Sequence, residues 1–131
     1  MERVTGIGGV FFKSADPARL NEWYGRALGI ETHGSSGAFF QWRATEEDGG
    51  AEGMTVWNAF PASSPYFDPT TAPFMINYRV ANLDRMLAQL REAGAQIDDK
   101  VEDTEYGRFA WAVDPDGTRF ELWEPPAETQ P

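Results

Sequence analysis

The stretch FFKSADPARLNEWYGRALG, Phe11 to Gly29, decides the fold because the chain carries it twice. Set over NYRVANLDRMLAQLREAG, Asn77 to Gly94, it matches Phe12 with Tyr78, Lys13 with Arg79, Asp16 with Asn82, Arg19 with Arg85 and Leu20 with Met86, all 66 residues apart. One gap later Gly29 meets Gly94. At the same offset TVWN (Thr55 to Asn58) falls on ELWE (Glu121 to Glu124), and at a slightly longer one FQW (Phe40 to Trp42) falls on FAW (Phe109 to Trp111). Self-similarity at a fixed offset marks a repeated supersecondary unit.

Each copy reads as a strand, a helix and three further strands. The first strand spans Gly6–Ser14. Asp16 is suited to cap a helix N-terminus, and Pro17 to its first turn. Leu20, Trp23, Tyr24, Ala27 and Leu28 recur at helical spacing as a stripe expected to be buried, and Gly29 is a natural stop. The second copy opens with a strand over Phe74–Val80. Asn82 then caps a helix whose buried stripe is Leu83, Met86, Leu87 and Leu90, and Gly94 ends it. The remaining strands are predicted at Ile30–His33, Ala38–Arg43 and Gly53–Ala59, and at Ala95–Ile97, Arg108–Asp114 and Arg119–Glu124. DPDG (Asp114 to Gly117) has Asp first, Pro second and Gly last, the make-up of a type I turn, and predicts a hairpin. EEDGGAEG (Glu46 to Gly53) does the same in the first copy.

FPASSPYFDPTTAP, Phe60 to Pro73, has four prolines and little periodicity, so it is a linker. Its Tyr66 and Phe67 either cover a site or tuck into a groove or interface. The domain is expected over residues 1–125, with modules at 4–60 and 74–125 and a flexible tail at 126–131.

At 131 residues the chain has the size of one domain. It has no cysteine and one histidine, His33, which excludes thiolate chemistry and any three-histidine metal site within one chain. The net charge is −10 with no basic cluster, which opposes binding to phosphate backbones. No window is apolar enough to span a membrane, and MERVTGIGGVFF lacks the pattern of a signal peptide, so a cytoplasmic location is expected. GIGG (Gly6 to Gly9) lies inside a strand and is too short for a phosphate-binding loop.

The tandem modules, with DPARLNEWYGRALGIE (Asp16 to Glu31) and DPDGTRFELWEP (Asp114 to Pro125) as their telling stretches, resemble the vicinal oxygen chelate superfamily over residues 4 to 125. That superfamily includes glyoxalase I, extradiol dioxygenases and the fosfomycin- and bleomycin-resistance proteins. The resemblance implies an α+β fold in which two βαβββ modules form a cupped mixed sheet, helices outside and the site inside. It also implies a homodimer. Phe120 and Leu122 are then expected under a helix, and Arg119, Glu121 and Trp123 in the cup. Metal-ligand positions of the family fall on Gly9, Thr55, Met75 and Glu121, of which only Glu121 is a plausible ligand, since Met75 offers a soft thioether. His33 matches no ligand position. The expectation is a protein of bleomycin-resistance type that binds a small aromatic or cationic molecule and needs no cofactor. The alternative is a divalent-metal-dependent lyase, isomerase or dioxygenase that uses Glu121.

Strand alternation then gives the predicted lining. Gly9, Phe11 and Lys13 come from the first strand, and Met75, Asn77 and Arg79 from its repeat. Thr55 and Trp57 are matched by Glu121 and Trp123, with Phe39, Gln41 and Trp111 as additions. Phe11, Trp57, Asn77, Arg79, Trp111, Arg119 and Trp123 are the expected ligand contacts. Three roles are open to Glu121: ion pairing with Arg119, binding a cationic or hydrogen-bond-donating ligand, or general-base catalysis. Lys13 and Arg79 either clamp an anion or face solvent at the strand ends, the second being expected.

Overall fold

A computed structural model describes residues 1–43 and 52–126. Seven strands and two helices follow in the order β1 (Val4–Ser14), α1 (Pro17–Leu28), β2 (Ala38–Arg43), β3 (Glu52–Pro61), β4 (Phe74–Val80), α2 (Leu83–Glu92), β5 (Gln96–Thr104), β6 (Gly107–Val113) and β7 (Arg119–Glu124). They form one mixed sheet of order β2-β3-β1-β4-β7-β6-β5. The first strands of the two copies, β1 and β4, lie antiparallel at its centre, and each is flanked by the last strand of its own copy in parallel. The two modules therefore join within one chain.

The helix starts follow from matched local chemistry. The Asp16 carboxylate accepts from the Arg19 amide at 3.1 Å, and the Asn82 side chain accepts from the Arg85 amide at 3.0 Å. Such a cap satisfies one of the amides that a helix N-terminus leaves unpaired. Past the ends, Gly29 (φ 71°) and Gly94 (φ 79°) take the left-handed conformation that a side chain resists. The α2 stripe is buried as expected: Leu83, Met86 and Leu87 pack with Val80, Ala110 and Leu122, and Leu90, Phe120 and Tyr78 close around them. Each such side chain contributes about 1.5–3 kcal/mol of burial free energy.

The first copy departs from this pattern. Residues 30–33 form no strand. The His33 amide instead bonds to the Gly37 carbonyl at 2.8 Å, closing a tight turn around a 3-10 segment, Gly34–Ser36, with Gly34 and Gly37 at positive φ. Only four residues separate Gly29 from Gly34, too few to run out and pair before the chain turns. The sheet consequently ends at β2. None of the α1 stripe is buried: Trp23 is 50% exposed and Leu28 64%.

The other strands hold, some with shifted ends. Ala38–Arg43 and Arg119–Glu124 have the expected bounds, while Ala95–Ile97 becomes the nine-residue β5. The polar sequence of β5 is that of an edge strand, whose charges discourage further pairing. The DPDG hairpin forms: the Gly117 amide donates to the Asp114 carbonyl at 2.9 Å, with Gly117 at φ 84°. The EEDGGAEG turn up to residue 51, and the tail beyond residue 126, lie outside the described residues. Among the described residues no helix is long and apolar enough to cross a membrane.

Candidate functional site

The parallel registers show which residues of the two copies occupy matching places. Phe11 on β1 lies beside Asn58 on β3, and Asn77 on β4 lies beside Glu121 on β7. Since Phe11 and Asn77 are repeat mates, the mate of Glu121 is Asn58. The alignment of TVWN with ELWE is thus three residues out, and so is the pairing of Trp57 with Trp123. Side chains alternate along a strand. Met54, Val56, Asn58 and Phe60 therefore face the cup, while Trp57 packs on the other side against Phe12 (ring centroids 4.9 Å apart) and Tyr24 of α1 (5.0 Å). Thr55 is also out of reach: its hydroxyl donates to the Ile7 carbonyl at 2.5 Å and accepts from Trp42 Nε1 at 2.8 Å. FQW is not the mate of FAW either, because Trp111 pairs with Glu121 whereas Trp42 pairs with Gly53 and not with Asn58.

The cup encloses about 550 Å³. Phe11, Phe39, Met54, Val56, Phe60, Tyr66, Tyr106, Phe109 and Trp123 supply its walls, and Asn58, Asn77, Glu105 and Glu121 its polar groups. Two stacked aromatic pairs stand in the walls: Phe109 with Trp123 (6.4 Å, 14°) and Phe60 with Tyr66 (5.4 Å, 6°). Trp123 is fixed through its Nε1, which donates to the Tyr106 carbonyl at 2.8 Å. At the rim His33 stacks on Phe39, 5.8 Å between centroids. A larger space of about 800 Å³ lies beside α1, but no buried carboxylate opens onto it.

Glu121 forms the floor and is 1% exposed; Asn77 beside it is 2% exposed. Three donors converge on the carboxylate. Asn77 Nδ2 donates to Oε1 at 2.5 Å, Trp111 Nε1 to Oε2 at 2.8 Å, and the Tyr66 hydroxyl also to Oε2. Burial pushes the Glu121 carboxyl above the usual carboxylate range; the hydrogen bonds from Tyr66, Asn77 and Trp111 pull the other way without cancelling it. Burial and the neighbouring Glu121 together push the Tyr66 phenol up, so Tyr66 keeps its proton and acts as donor. Asn77 Oδ1 is buried and has no hydrogen-bond partner.

Tyr66 and Phe67 reach this place through a short 3-10 turn, Pro65–Phe67, whose Ser64 side chain accepts from the Tyr66 amide. Phe67 is fully buried against Met75 and Trp111. The linker thus tucks one ring into a groove and lays the other over the site. Gly8 permits the close approach on the opposite side: a Cβ there would collide with Asn77 Oδ1 and come within 2.8 Å of Trp123.

Phe11, Asn77, Glu121, Trp123 and Phe39 line the cup, and Trp111 supports its floor from below. Gln41 and Arg79 line an adjoining chamber. Lys13 lies over the Phe67 ring, 5.3 Å from its centroid. Arg119 does not pair with Glu121. It bonds to Asp98 at 3.0 Å while stacking on Trp111, and that bond holds the Asp98 carboxyl below its usual range. Alternation could not reveal this, because Asp98 comes from β5, whose length was not legible. Asn58, Phe60, Phe109 and Tyr66 were not singled out as ligand contacts. The aromatic linker was the signal for Tyr66, and a three-residue shift of the repeat would have found Asn58 and Phe60.

The family's metal positions do not fit a hard divalent ion here. Gly9 has no donor side chain, Met75 is buried among Phe67 and Trp111, Thr55 is committed elsewhere, and both Glu121 oxygens already accept protein hydrogen bonds. Among the described residues no three of His, Cys, Asp and Glu are grouped so that they could hold a metal ion.

Two strand–helix–strand modules that close one cupped sheet over a carboxylate on the last strand define the vicinal oxygen chelate class. Residues 9–123 match the glyoxalase-like domain family, and the chain belongs to it. Solved structures share the fold. A Streptomyces coelicolor methylmalonyl-CoA epimerase in complex with 2-nitronate-propionyl-CoA is 17% identical, covers 95% of this chain and 100% of its own, and gives a TM-score of 0.66. The Mycobacterium tuberculosis methylmalonyl-CoA epimerase is 22% identical over 95% of this chain and 91% of its own, with a TM-score of 0.58. A Legionella pneumophila protein described as an NAD-dependent benzaldehyde dehydrogenase is 18% identical over 89% and 97%, with a TM-score of 0.56. At these identities the likeness is one of fold alone. No curated protein matches the chain.

Proposed function

We propose that the cup binds a small, planar, mainly apolar molecule without a resident metal, and that Glu121 and Asn77 anchor it through an N–H or O–H of the ligand. The observation that carries this reading is a carboxyl group, 1% exposed, opening onto an aromatic cavity of about 550 Å³. Burying an ionisable group is costly unless it is paired. The obvious structural pairing, with Arg119, is not made, since Arg119 belongs to Asp98. Beside it, Asn77 Oδ1 is a buried acceptor without a donor. Aromatic walls around a few convergent polar groups are the usual make-up of a ligand site, and they also suit a cationic amine. The test is thermal stabilisation by a panel of phenols and aromatic amines, each beside its hydrocarbon counterpart, in the presence of chelator. Stabilisation by the donors but not the hydrocarbons supports the reading, and stabilisation that appears only after adding a divalent metal defeats it.

A second reading, catalysis, draws on the raised Glu121 carboxyl. A buried carboxylate at the edge of a cavity is a candidate general base. Several structures of the same fold are methylmalonyl-CoA epimerases, which makes proton abstraction beside a carbonyl the reaction to try. Incorporation of solvent deuterium into methylmalonyl-CoA by the wild type, lost in Glu121→Gln, would establish it. No incorporation by the wild type removes that substrate.

A further inference from the structure

Beside the cup lies a second chamber of about 390 Å³, lined by Gln41, Trp42, Gly53, Met54, Arg79 and Trp123 among others. Met54 and Trp123 line both spaces, so the two adjoin at these side chains. Arg79 is half-buried there and has no acidic partner among the described residues. Among the described residues the one acid lining the chamber, Glu52, is engaged by Arg43 at 3.3 Å.

The setting of Arg79 is built rather than incidental. Its guanidinium lies 5.7 Å from the centre of the Trp42 ring. Trp42 is fixed through Nε1, which donates to Thr55 Oγ1. A Cβ at Gly6 or at Gly53 would come within 2.6 Å of the Trp42 ring, so both glycines clear its place. This accounts for Gly6 of the GIGG stretch. A guanidinium stacked on an indole keeps its in-plane N–H edge free, the edge that matches a carboxylate or phosphate. In a chain of net charge −10, a half-buried cation left without an acid among the described residues is a candidate anion-binding feature.

We propose that the Arg79 chamber receives an anionic group of the cup's ligand, so that the ligand is an aromatic molecule bearing a carboxylate or phosphate on a short arm. This rests on the cup being a ligand site. The experiment is isothermal titration of the wild type and Arg79→Gln, at neutral pH and low salt, with 3-(4-hydroxyphenyl)propanoate, its amide and 2-(4-hydroxyphenyl)ethyl phosphate, each of which carries a phenol O–H for the cup. In the wild type at least one anion is expected to bind roughly fivefold tighter than the amide, and the tighter of the two names the headgroup. The ratio should fall to about one in Arg79→Gln, and it should shrink in the wild type as salt is raised, a control that needs no variant. Equal affinities in the wild type, or a preference that survives Arg79→Gln, would overturn the subsite and leave the cup standing. Failure of all three compounds to bind would remove both.

Discussion

The Tyr66 hydroxyl, in the segment that joins the two modules, donates to Oε2 of Glu121 on the last strand of the second. The linker is therefore part of the site it crosses, and the phenol occupies one of the directions from which a ligand donor could approach the carboxylate. Tyr66→Phe removes this bond and keeps the ring stacked on Phe60. The expected cost is about 1–2 kcal/mol in urea unfolding, because Asn77 and Trp111 still bond Glu121. The freed acceptor should tighten binding of phenols and amines relative to hydrocarbons, which titration of both variants reads directly.

Trp57 and Trp123, on opposite faces of the sheet, separate fold from site. Trp57→Ala empties space between β3 and α1 and is expected to destabilise by about 3 kcal/mol with no change in ligand affinity. Trp123→Ala removes a wall of the cup and should weaken binding by more than tenfold. Denaturation and titration of both proteins give the comparison, and equal losses of affinity would show that the β3 register is wrong.

Gly8 makes a steric prediction. Its Cβ would strike Asn77 and Trp123, so Gly8→Ala must displace one of them. A loss of about 1–3 kcal/mol is expected, together with weaker ligand binding. Gly29→Ala is the contrast: nothing lies near its Cβ, so it should cost stability through its positive φ alone and leave the cup intact.

The pH dependence has a definite sign. Burial raises the folded-state pKa of Glu121 above its unfolded value of about 4.5. Such a group contributes stability that is fully present below the unfolded value and is lost as pH rises through the folded one. Asp84 and Asp98, both lowered first by their arginine hydrogen bonds, act oppositely: their contribution is present above the unfolded value and is lost as pH falls through the folded one. The wild type and Glu121→Gln share those aspartates, so their difference in unfolding free energy isolates Glu121. The wild type should lose ground to the variant as pH rises from acid to neutral. A difference that does not vary with pH would contradict the raised carboxyl.

What could be read in the sequence was whatever is fixed locally. Asp16 and Asn82 sit at identical distances from their helices and cap them in the same way. The DPDG turn follows from turn chemistry, and alternation sets Phe120 and Leu122 opposite Glu121 and Trp123, while the resemblance was needed to say which side faces the cup. The register of β3 was not legible. Matching tryptophans suggested one alignment, whereas the pairing across β1, which shifts register near Gly8, imposes another. The strand expected at residues 30–33 was lost to a turn whose glycines break the symmetry of the repeat. The partners of Glu121 and Arg119 were hidden because Tyr66 and Asp98 come from a linker and an edge strand, where no periodicity points a side chain.

The most direct test of the central claim is isothermal titration of chelator-treated wild type and Trp123→Ala with a simple phenol. The account predicts saturable binding at one site per chain in the metal-stripped wild type, lost in the variant. Binding that needs added metal, or that survives unchanged in Trp123→Ala, would contradict it.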